Sequence, residues 1–377
     1  MAPSRQRRDD KNWDQIMLYF LHNLSDHSIV FNLFRYITFR SAGASITAFF
    51  LSLWLGPRCI AWLKKLRAVT NQERAYAETI HEHFKHKKDV PMMGGILVVA
   101  SVVVSTLLWG NLTNRFVWMM IAVMLWFGFV GFLDDWLKMR SKSSDGLSSI
   151  TKLLGQVLMG LAIGIYLYCD PTFDKWLYVP LLKKGVVYLG LFFIPFVILV
   201  LTGTSNALNL TDGLDGLAIG CTLFTTTAFA LIIYVTGHYD FARYLAIPHI
   251  PEAGEVTVFC AALAGASAGF LWFNSYPAEV FMGDTGSLSL GGALGAMAVL
   301  TKKEFVLAII GGIFVWEALS VILQVASFKL RKKRIFLMSP FHHHLQRKGW
   351  PESKITIRLW IIAFILAIVG LSTLKVR

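Results

Sequence analysis

Charged residues are scarce in this sequence. They occupy 16% of its 377 positions, whereas about a quarter is usual in a soluble globular domain. Hydrophobic residues make up 55% of the chain, and its mean hydropathy is +0.56. The composition is therefore not that of a soluble enzyme of this length.

Cysteine is scarce as well, and the N-terminal stretch lacks the pattern of a signal peptide. The four cysteines (Cys59, Cys169, Cys221 and Cys260) lie far apart, without the spacing of a redox pair or a metal cluster. We expect them to be small apolar fillers. The basic N-terminus is not followed by a short apolar region with a small-residue cleavage motif, so we predict no signal peptide.

Long apolar runs recur along the whole sequence. About ten of them approach the roughly 20 residues that a helix needs to cross a bilayer. The predicted spans are 30–57, 92–110, 115–134, 152–169, 186–203, 216–236, 256–273, 286–301, 304–328 and 355–374. We therefore predict an all-α polytopic membrane protein with about ten transmembrane helices, forming one domain over 29–377. Residues 1–28 are predicted to be an N-terminal tail and an interfacial helix, because apolar and polar side chains mix there.

The net charge of +13 does not indicate a nucleic-acid partner, because the basic residues are not gathered on one soluble face. They lie mainly in the loops 58–90, 138–152 and 329–354. This is the distribution that the positive-inside rule produces, although anionic lipids or an anionic substrate could also use it. We therefore place these three loops in the cytoplasm.

Polar residues at the ends of the predicted spans then fall on the same, cytoplasmic side. Carboxylates end the third span and open the sixth and the eighth, an asparagine ends the seventh, and three histidines lie between the ninth and the tenth. These residues are Asp134, Asp135, Asp212, Asp215, Asn274, Asp284, His342, His343 and His344. The orientation was derived from lysine and arginine alone, so their coincidence predicts one cytoplasm-facing active-site cleft.

Carboxylates and glycines together indicate the chemistry of this cleft. Each aspartate alone could be a helix cap, but several at one place repel one another unless a cation is present. Hard oxygen ligands beside phosphate favour Mg²⁺. The glycines of "TDGLDGLA" and "MGDTGSLSLGG" let backbone N–H groups approach an anion, although such glycines also serve helix packing. The pattern predicts magnesium-dependent phosphoryl transfer.

Other polar features have simpler explanations beside the functional ones. Three consecutive histidines in "SPFHHHLQRKGW" cannot all face one zinc ion from a regular helix, so contact with phosphate or a carboxylate is favoured. Lys87 stands in a lysine pair that could be simply topogenic. Phe281 could stack on a nucleobase, but the residues alone favour a lipid-facing ring.

These motifs also carry a family resemblance. Asp134-Asp135, "NLTDGLDGLA" and "FMGDTGS" are similar to motifs of the polyprenyl-phosphate N-acetylhexosamine-1-phosphate transferase superfamily. "PMMGG", and above all "SPFHHHLQRKGW" followed by "ESKITIRLW", resemble its phospho-N-acetylmuramoyl-pentapeptide transferase family, from about residue 40 to the C-terminus. Met92 departs from the pattern, since the family commonly has threonine there, and it cannot supply the hydroxyl contact.

The resemblance implies a magnesium-dependent enzyme of the bacterial cytoplasmic (inner) membrane, usually a homodimer. It would transfer phospho-MurNAc-pentapeptide from UDP-MurNAc-pentapeptide to undecaprenyl phosphate, giving lipid I and UMP in the first membrane step of peptidoglycan synthesis. The domain 29–377 would then be the transferase domain.

The resemblance also implies roles for individual residues. Asp284 is a predicted Mg²⁺ ligand with Asp212 as a second, and Asp134 acts on the lipid phosphate as base or nucleophile, with Asp135 as its partner. The predicted catalytic residues are Asp134, Asp135, Asp284, His342, His343 and His344. Lys87, Asp215, Asn274 and Phe281 are predicted to form the uridine pocket, and Lys138, Lys152, Asn209, Asp212 and Ser287 to line the rest of the cleft.

Two other functions compete with this prediction. A UDP-GlcNAc:undecaprenyl-phosphate GlcNAc-1-phosphate transferase would share the chemistry, but the histidine loop disfavours it. A transporter would place carboxylates in mid-span and show repeat-related halves; here the predicted site residues cluster at one boundary and no repeat is visible. A purely structural membrane protein would need no such site.

Overall fold

Apolar helices form most of the chain. The computed structural model describes residues 18–24, 28–66, 90–141, 146–180, 182 and 185–375. The α-helices are α1 Ile37–Lys65, α2 Gly95–Trp109, α3 Arg115–Ser141, α4 Ser149–Cys169, α5 Phe193–Thr211, α6 Leu217–Gly237, α7 Tyr239–Leu245, α8 Ala253–Asn274, α9 Gly283–Thr301, α10 Glu304–Ile310, α11 Gly312–Arg331, α12 Phe341–Arg347 and α13 Glu352–Ser372. Short 3₁₀ helices cover Leu18–Leu24, Ile29–Arg35 and Gly190–Phe192, and two antiparallel strands, Trp176–Leu177 and Val187–Tyr188, pair between α4 and α5.

Eight described helical segments are long and apolar enough to cross a bilayer. They are Ile37–Lys65, Arg115–Arg140, Ser149–Cys169, Gly190–Thr211, Leu217–Gly237, Ala253–Asn274, Gly312–Arg331 and Glu352–Ser372. The prediction of an all-α polytopic membrane protein is therefore confirmed. The predicted second span is the shorter α2, of 15 residues, which spans about 22 Å at 1.5 Å per residue. The predicted eighth span is α9, which is not among the eight.

Helix α9 runs through the centre of the bundle. Every residue of α9 except Asp284 is buried, because small side chains let its neighbours approach closely. A Cβ at Gly291 would lie 2.5 Å from the Cα of Ser205 in α5, and a Cβ at Gly292 would lie 2.7 Å from the ring of Phe127 in α3. The glycine and serine content that lowers the hydropathy of α9 is thus the feature that places it in the core.

Two glycines with a left-handed backbone start the helices that carry the polar motifs. Gly216, with a φ of +74°, precedes α6, and Gly283, with a φ of +73°, begins α9. A Cβ at Gly283 would also lie 2.7 Å from Oδ2 of Asp135. Glycine is therefore needed at position 283 both for its φ and for the close approach of α3.

The remaining expectations concern the cysteines and the N-terminus. All four cysteines are free. Cys221 and Cys260 are buried, in keeping with the predicted role as fillers, whereas Cys59 is half-buried and Cys169 is exposed. The predicted interfacial segment includes the 3₁₀ helix Leu18–Leu24, while residues 1–17 and 25–27 lie outside the described part. The division of the chain at residue 28 stays a prediction.

Candidate active site

The end of α3 is fastened to the start of α9 by a buried carboxylate. Asp135 accepts hydrogen bonds from the backbone N of Asp284 (3.2 Å) and from the backbone N and Oγ1 of Thr285 (2.9 and 2.8 Å). It thus serves as the cap for the free N–H groups of α9. One turn earlier, a Cβ at Gly131 would lie 2.2 Å from the backbone O of Asp284. The backbones of the two helices therefore touch at the point where the carboxylates meet.

Two lysines bridge two carboxylates beside this junction. The Nζ of Lys138 contacts Oδ2 of Asp134 and lies 3.1 Å from Oδ2 of Asp284. The Nζ of Lys152 lies 2.6 Å from Oδ2 of Asp284 and 3.2 Å from Oδ2 of Asp134. The Asp134 side chain is 1% exposed and that of Asp284 is 16% exposed. The ammonium groups thus compensate carboxylates that would be costly to bury alone, and Asp284 is the more accessible of the two carboxylates.

Helix α5 supplies a third contact to Asp284. The Nδ2 of Asn209 donates to Oδ1 of Asp284 and to Oγ of Ser287, both at 2.8 Å. Ser287 in turn donates to the backbone O of Gly283 at 3.1 Å. Both oxygens of Asp284 are consequently engaged, one by the lysines and one by Asn209, and its orientation is fixed from three helices.

Three of the carboxylates could share a metal ion. One oxygen each from Asp134, Asp135 and Asp284 lies within 4.8 Å of the others. An all-oxygen donor set of this kind suits Mg²⁺. Asp212 is not part of this group; it lies half-buried at the C-terminus of α5. Its predicted place among the metal ligands stays a prediction.

The turn that follows Asp212 is held by a second set of polar contacts. The Oδ2 of Asp215 accepts from the backbone N of Ala278 (3.1 Å), and the backbone N of Asp215 donates to Oε1 of Glu352 (2.8 Å). Asn274 accepts from the backbone N of Gly216 at 3.1 Å. Asp215 and Asn274, predicted for the uridine pocket, are both 3% exposed. In the structure they hold the turn against α8 and α13.

The other two residues predicted for the uridine pocket are Phe281 and Lys87. Phe281 is half-buried, and its backbone pairs with the segment before α2: its N donates to the O of Pro91 at 2.9 Å, and its O accepts from the N of Gly94 at 2.8 Å. Lys87 lies outside the described residues. The pocket as a whole therefore stays a prediction.

The three histidines of α12 have three different partners. The Nδ1 of His342 lies 3.2 Å from Oε2 of Glu317, a neighbouring carboxylate as expected for one of the three. The Nδ1 of His343 lies 2.7 Å from Oε1 of Gln346, and the Nδ1 of His344 accepts from the backbone N of Leu337 at 3.1 Å.

The surroundings of His343 and His344 decide their charge. Burial, with a smaller contribution from His342, lowers the pKa of His343 to about 4. Burial, and then the charge of Lys348, lowers the pKa of His344. The lowered pKa of His343 favours its neutral ring at neutral pH.

Reasoning from the sequence missed Thr285, Glu317 and Glu352, which hold predicted site residues in place. Thr285 follows Asp284 in "FMGDTGS", and Glu352 begins "ESKITIRLW". Both residues belong to motifs noted in the sequence, but neither was given a role. Glu317 could have been found because it is an acidic residue inside an apolar span, which is itself an indication of function.

Comparisons with known proteins assign this architecture and site to a class. The family described as Glycosyl transferase family 4 matches residues 117–302, from α3 to the end of α9. The match includes the carboxylate–lysine cluster, which consists of Asp134, Lys138, Lys152 and Asp284. The fold and the site thus define a polytopic membrane transferase.

Curated relatives narrow the class to one family. The phospho-N-acetylmuramoyl-pentapeptide-transferase of Thermodesulfovibrio yellowstonii is 51% identical over 365 residues, covering 96% of this chain and 100% of that protein. Proteins of the same name from Maridesulfovibrio salexigens and Granulibacter bethesdensis are each 50% identical, with the same coverage. The chain belongs to the phospho-N-acetylmuramoyl-pentapeptide-transferase family.

Proposed function

We propose that this protein transfers phospho-MurNAc-pentapeptide from UDP-MurNAc-pentapeptide to undecaprenyl phosphate, forming lipid I and releasing UMP. One observation carries the proposal: Lys138 and Lys152 bridge Asp134 and Asp284 at the ends of apolar helices. A site at this position can be reached by a water-soluble nucleotide and by a phosphate whose lipid tail stays in the bilayer. The names of the relatives support the choice of the sugar.

The lysines are the groups that suit the phosphates. Phosphoryl transfer depends mainly on positioning and on neutralising charge. Lys138 and Lys152 are partly exposed, by 29% and 20% of their side chains, and can therefore contact phosphate oxygens as well as carboxylates. Asn209 and Ser287 would keep Asp284 oriented during the reaction.

Asp284, Asp134 and Asp135 would hold Mg²⁺, with Asp212 as the further ligand that the family resemblance suggests. The ion would supply positive charge to the pyrophosphate and to the leaving UMP. The set of closely spaced carboxylate oxygens supports this assignment.

The transfer conserves its atoms in a single displacement. An oxygen of undecaprenyl phosphate bonds to the β-phosphorus of the nucleotide sugar, and the bond from that phosphorus to the bridging oxygen breaks. UMP leaves with the bridging oxygen. Asp134 is the carboxylate proposed to act on the lipid phosphate, and Asp135 holds the start of α9 in place beside it.

The orientation and the surroundings of the site are part of the proposal. The three basic loops support a bacterial cytoplasmic membrane location with the cleft facing the cytoplasm. Lys87, Asp215, Asn274 and Phe281 would contact the uridine, and the histidines of α12 would close the cleft beside the turn that Asp215 belongs to. A homodimer is the family expectation.

UMP release tests the proposal. Purified protein in detergent receives undecaprenyl phosphate and Mg²⁺, with UDP-MurNAc-pentapeptide or UDP-GlcNAc in separate reactions. We expect UMP with the muropeptide nucleotide and none with UDP-GlcNAc. The reverse result would keep the chemistry and replace the proposed substrate, and the absence of UMP with either, from folded protein, would refute the transferase proposal. The Asp284→Asn variant should fold and be inactive.

A further inference from the structure

Helix α11 contains a buried carboxylate that the proposed chemistry does not use. The side chain of Glu317 is 0% exposed, and it lies in the span Gly312–Arg331, a segment long and apolar enough to cross a bilayer. An acidic group in such a helix is costly unless it is paired, and it is retained mostly where it has a task. Its partner therefore indicates what the task is.

The partner is the first histidine of α12. The Oε2 of Glu317 accepts a hydrogen bond from the backbone N of His342 (3.3 Å) and lies 3.2 Å from its Nδ1. The His342 side chain is also 0% exposed. An ionised carboxylate can only accept hydrogen bonds, so the proton between these two side chains belongs to Nδ1. This pairing fixes the direction of the ring, and in a neutral imidazole with its proton on Nδ1 the lone pair is on Nε2.

The free edge of the ring faces the turn that contains Gly213. A Cβ at Gly213 would lie 2.2 Å from Nε2 of His342, so the ring rests directly on the turn between Asp212 and Asp215. Among the described residues, none forms a hydrogen bond with this buried Nε2. A hydrogen-bonding position is thus aimed at the turn, and the carboxylate on the far side of the ring holds it there.

We infer that Glu317 is a positioning residue of the transfer site. It holds the His342 ring with Nε2 against the turn between Asp212 and Asp215, and thereby keeps this turn in position for the nucleotide-sugar substrate. The inference rests on the proposed function and adds to it a residue from outside the carboxylate–lysine cluster. Carboxylates that orient a histidine in a metal site change activity by about 10- to 100-fold when they are replaced.

The Glu317→Gln variant tests the pairing without emptying the space. Oε2 of Glu317 makes both contacts with His342, so an amide oxygen in its place can still accept from the backbone N and from Nδ1, but without the negative charge that strengthens and orients the bond to Nδ1. We expect kcat/KM for UDP-MurNAc-pentapeptide to fall by about 10- to 100-fold. Ser320→Ala is the matched control, because Ser320 is buried on the same helix and only its hydroxyl is lost; its activity should stay within about twofold.

A double-mutant cycle separates positioning from a structural role. If Glu317 acts through His342, Glu317→Gln should cost less than about twofold in a His342→Gln background. Equal losses in both backgrounds, or full activity of Glu317→Gln alone, would overturn the inference. An inactive wild type would instead refute the proposed function, so the two failures are distinguishable.

A second variant changes the turn instead of Glu317, in case Glu317→Gln does not fold. It alters the contact between Gly213 and Nε2 of His342. Gly213→Ala places a Cβ against Nε2, whereas Gly203→Ala meets nothing within 4 Å. Gly213→Ala should lower kcat/KM by at least about tenfold, and the loss should shrink in the His342→Gln background, where the ring is gone. Gly203→Ala should retain wild-type activity. Equal activity of the two glycine variants would overturn the inference.

Discussion

Gly131→Ala should inactivate the enzyme by displacing Asp284. A Cβ at Gly131 would lie 2.2 Å from the backbone O of Asp284, 2.4 Å from its C and 2.6 Å from the N of Thr285. These are backbone atoms, so no side chain can rotate away to relieve the overlap. An ordinary contact begins near 3.4 Å, and the start of α9 must therefore move by about 1 Å relative to α3.

The expected loss of activity follows from the contacts that this movement disturbs. The hydrogen bonds from Asp135 to the backbone of Asp284 and Thr285, now 3.2 and 2.9 Å, would lengthen or break. The ion pairs that Lys138 and Lys152 make with Asp284 would shift with them. A misplacement of about 1 Å in a catalytic group costs about 100-fold in rate, so we expect a loss of that order in kcat. Overpacking of this kind also costs about 1–3 kcal/mol in the free energy of unfolding.

Gly128 offers a control on the same face of α3, one turn earlier. The nearest atom to a Cβ at Gly128 is Cβ of Ser289, at 3.5 Å. Both variants gain the same helix propensity of about 1 kcal/mol, and only one meets the site. UMP release at saturating substrate, with a thermal unfolding curve for each variant, compares them. Gly128→Ala should stay within about twofold of wild type. Equal activity of Gly131→Ala and Gly128→Ala would refute the reasoning.

The remaining predictions concern charge. Lys152→Gln removes one ammonium from Asp284 and should lower kcat/KM about 10- to 100-fold, the cost of one charge-assisted contact; unchanged kinetics would contradict a phosphate-binding role. Chelation of divalent cations should abolish UMP release and added Mg²⁺ should restore it, whereas activity that persists in the chelator would refute the metal assignment. Burial lowers the pKa of His343 from 6.5 to about 4. Between these pH values the unfolded chain binds a proton at this residue and the folded chain does not, so the free energy of unfolding falls by about 3 kcal/mol as the pH is lowered to 4. The midpoint of thermal unfolding should therefore fall less from pH 6.5 to pH 4 in His343→Gln than in the wild type, and parallel curves would contradict this assignment.

The sequence predicted the spans well because length and apolarity are local properties. Nine of the ten predicted ranges each overlap one long α-helix for most of their length, including α9, in which every residue except Asp284 is buried. The ninth span, predicted over 304–328, is divided instead: α10 ends at Ile310 and α11 begins at Gly312. Hydropathy is continuous across that point, so an apolar run cannot reveal where the backbone breaks.

The candidate site was predictable in its residue types but not in its contacts. Asp134, Asp135 and Asp284 could be placed at span ends from motifs, because each motif is local. Which lysine meets which carboxylate depends on how α3, α4 and α9 pack, and no single stretch contains that information. The pairing of Glu317 with His342 could not be predicted for the same reason, since His342 reaches Glu317 only when the loop after α11 folds back onto the helix.

One measurement tests the central claim most directly: the fate of the β-phosphate during turnover. UDP-MurNAc-pentapeptide labelled with ³²P at the β-phosphorus is incubated with the protein, undecaprenyl phosphate and Mg²⁺, and the organic and aqueous phases are counted. The account predicts that the label moves to the lipid phase in step with the appearance of unlabelled UMP in water. Label that leaves as inorganic phosphate or stays in the nucleotide would contradict the transfer.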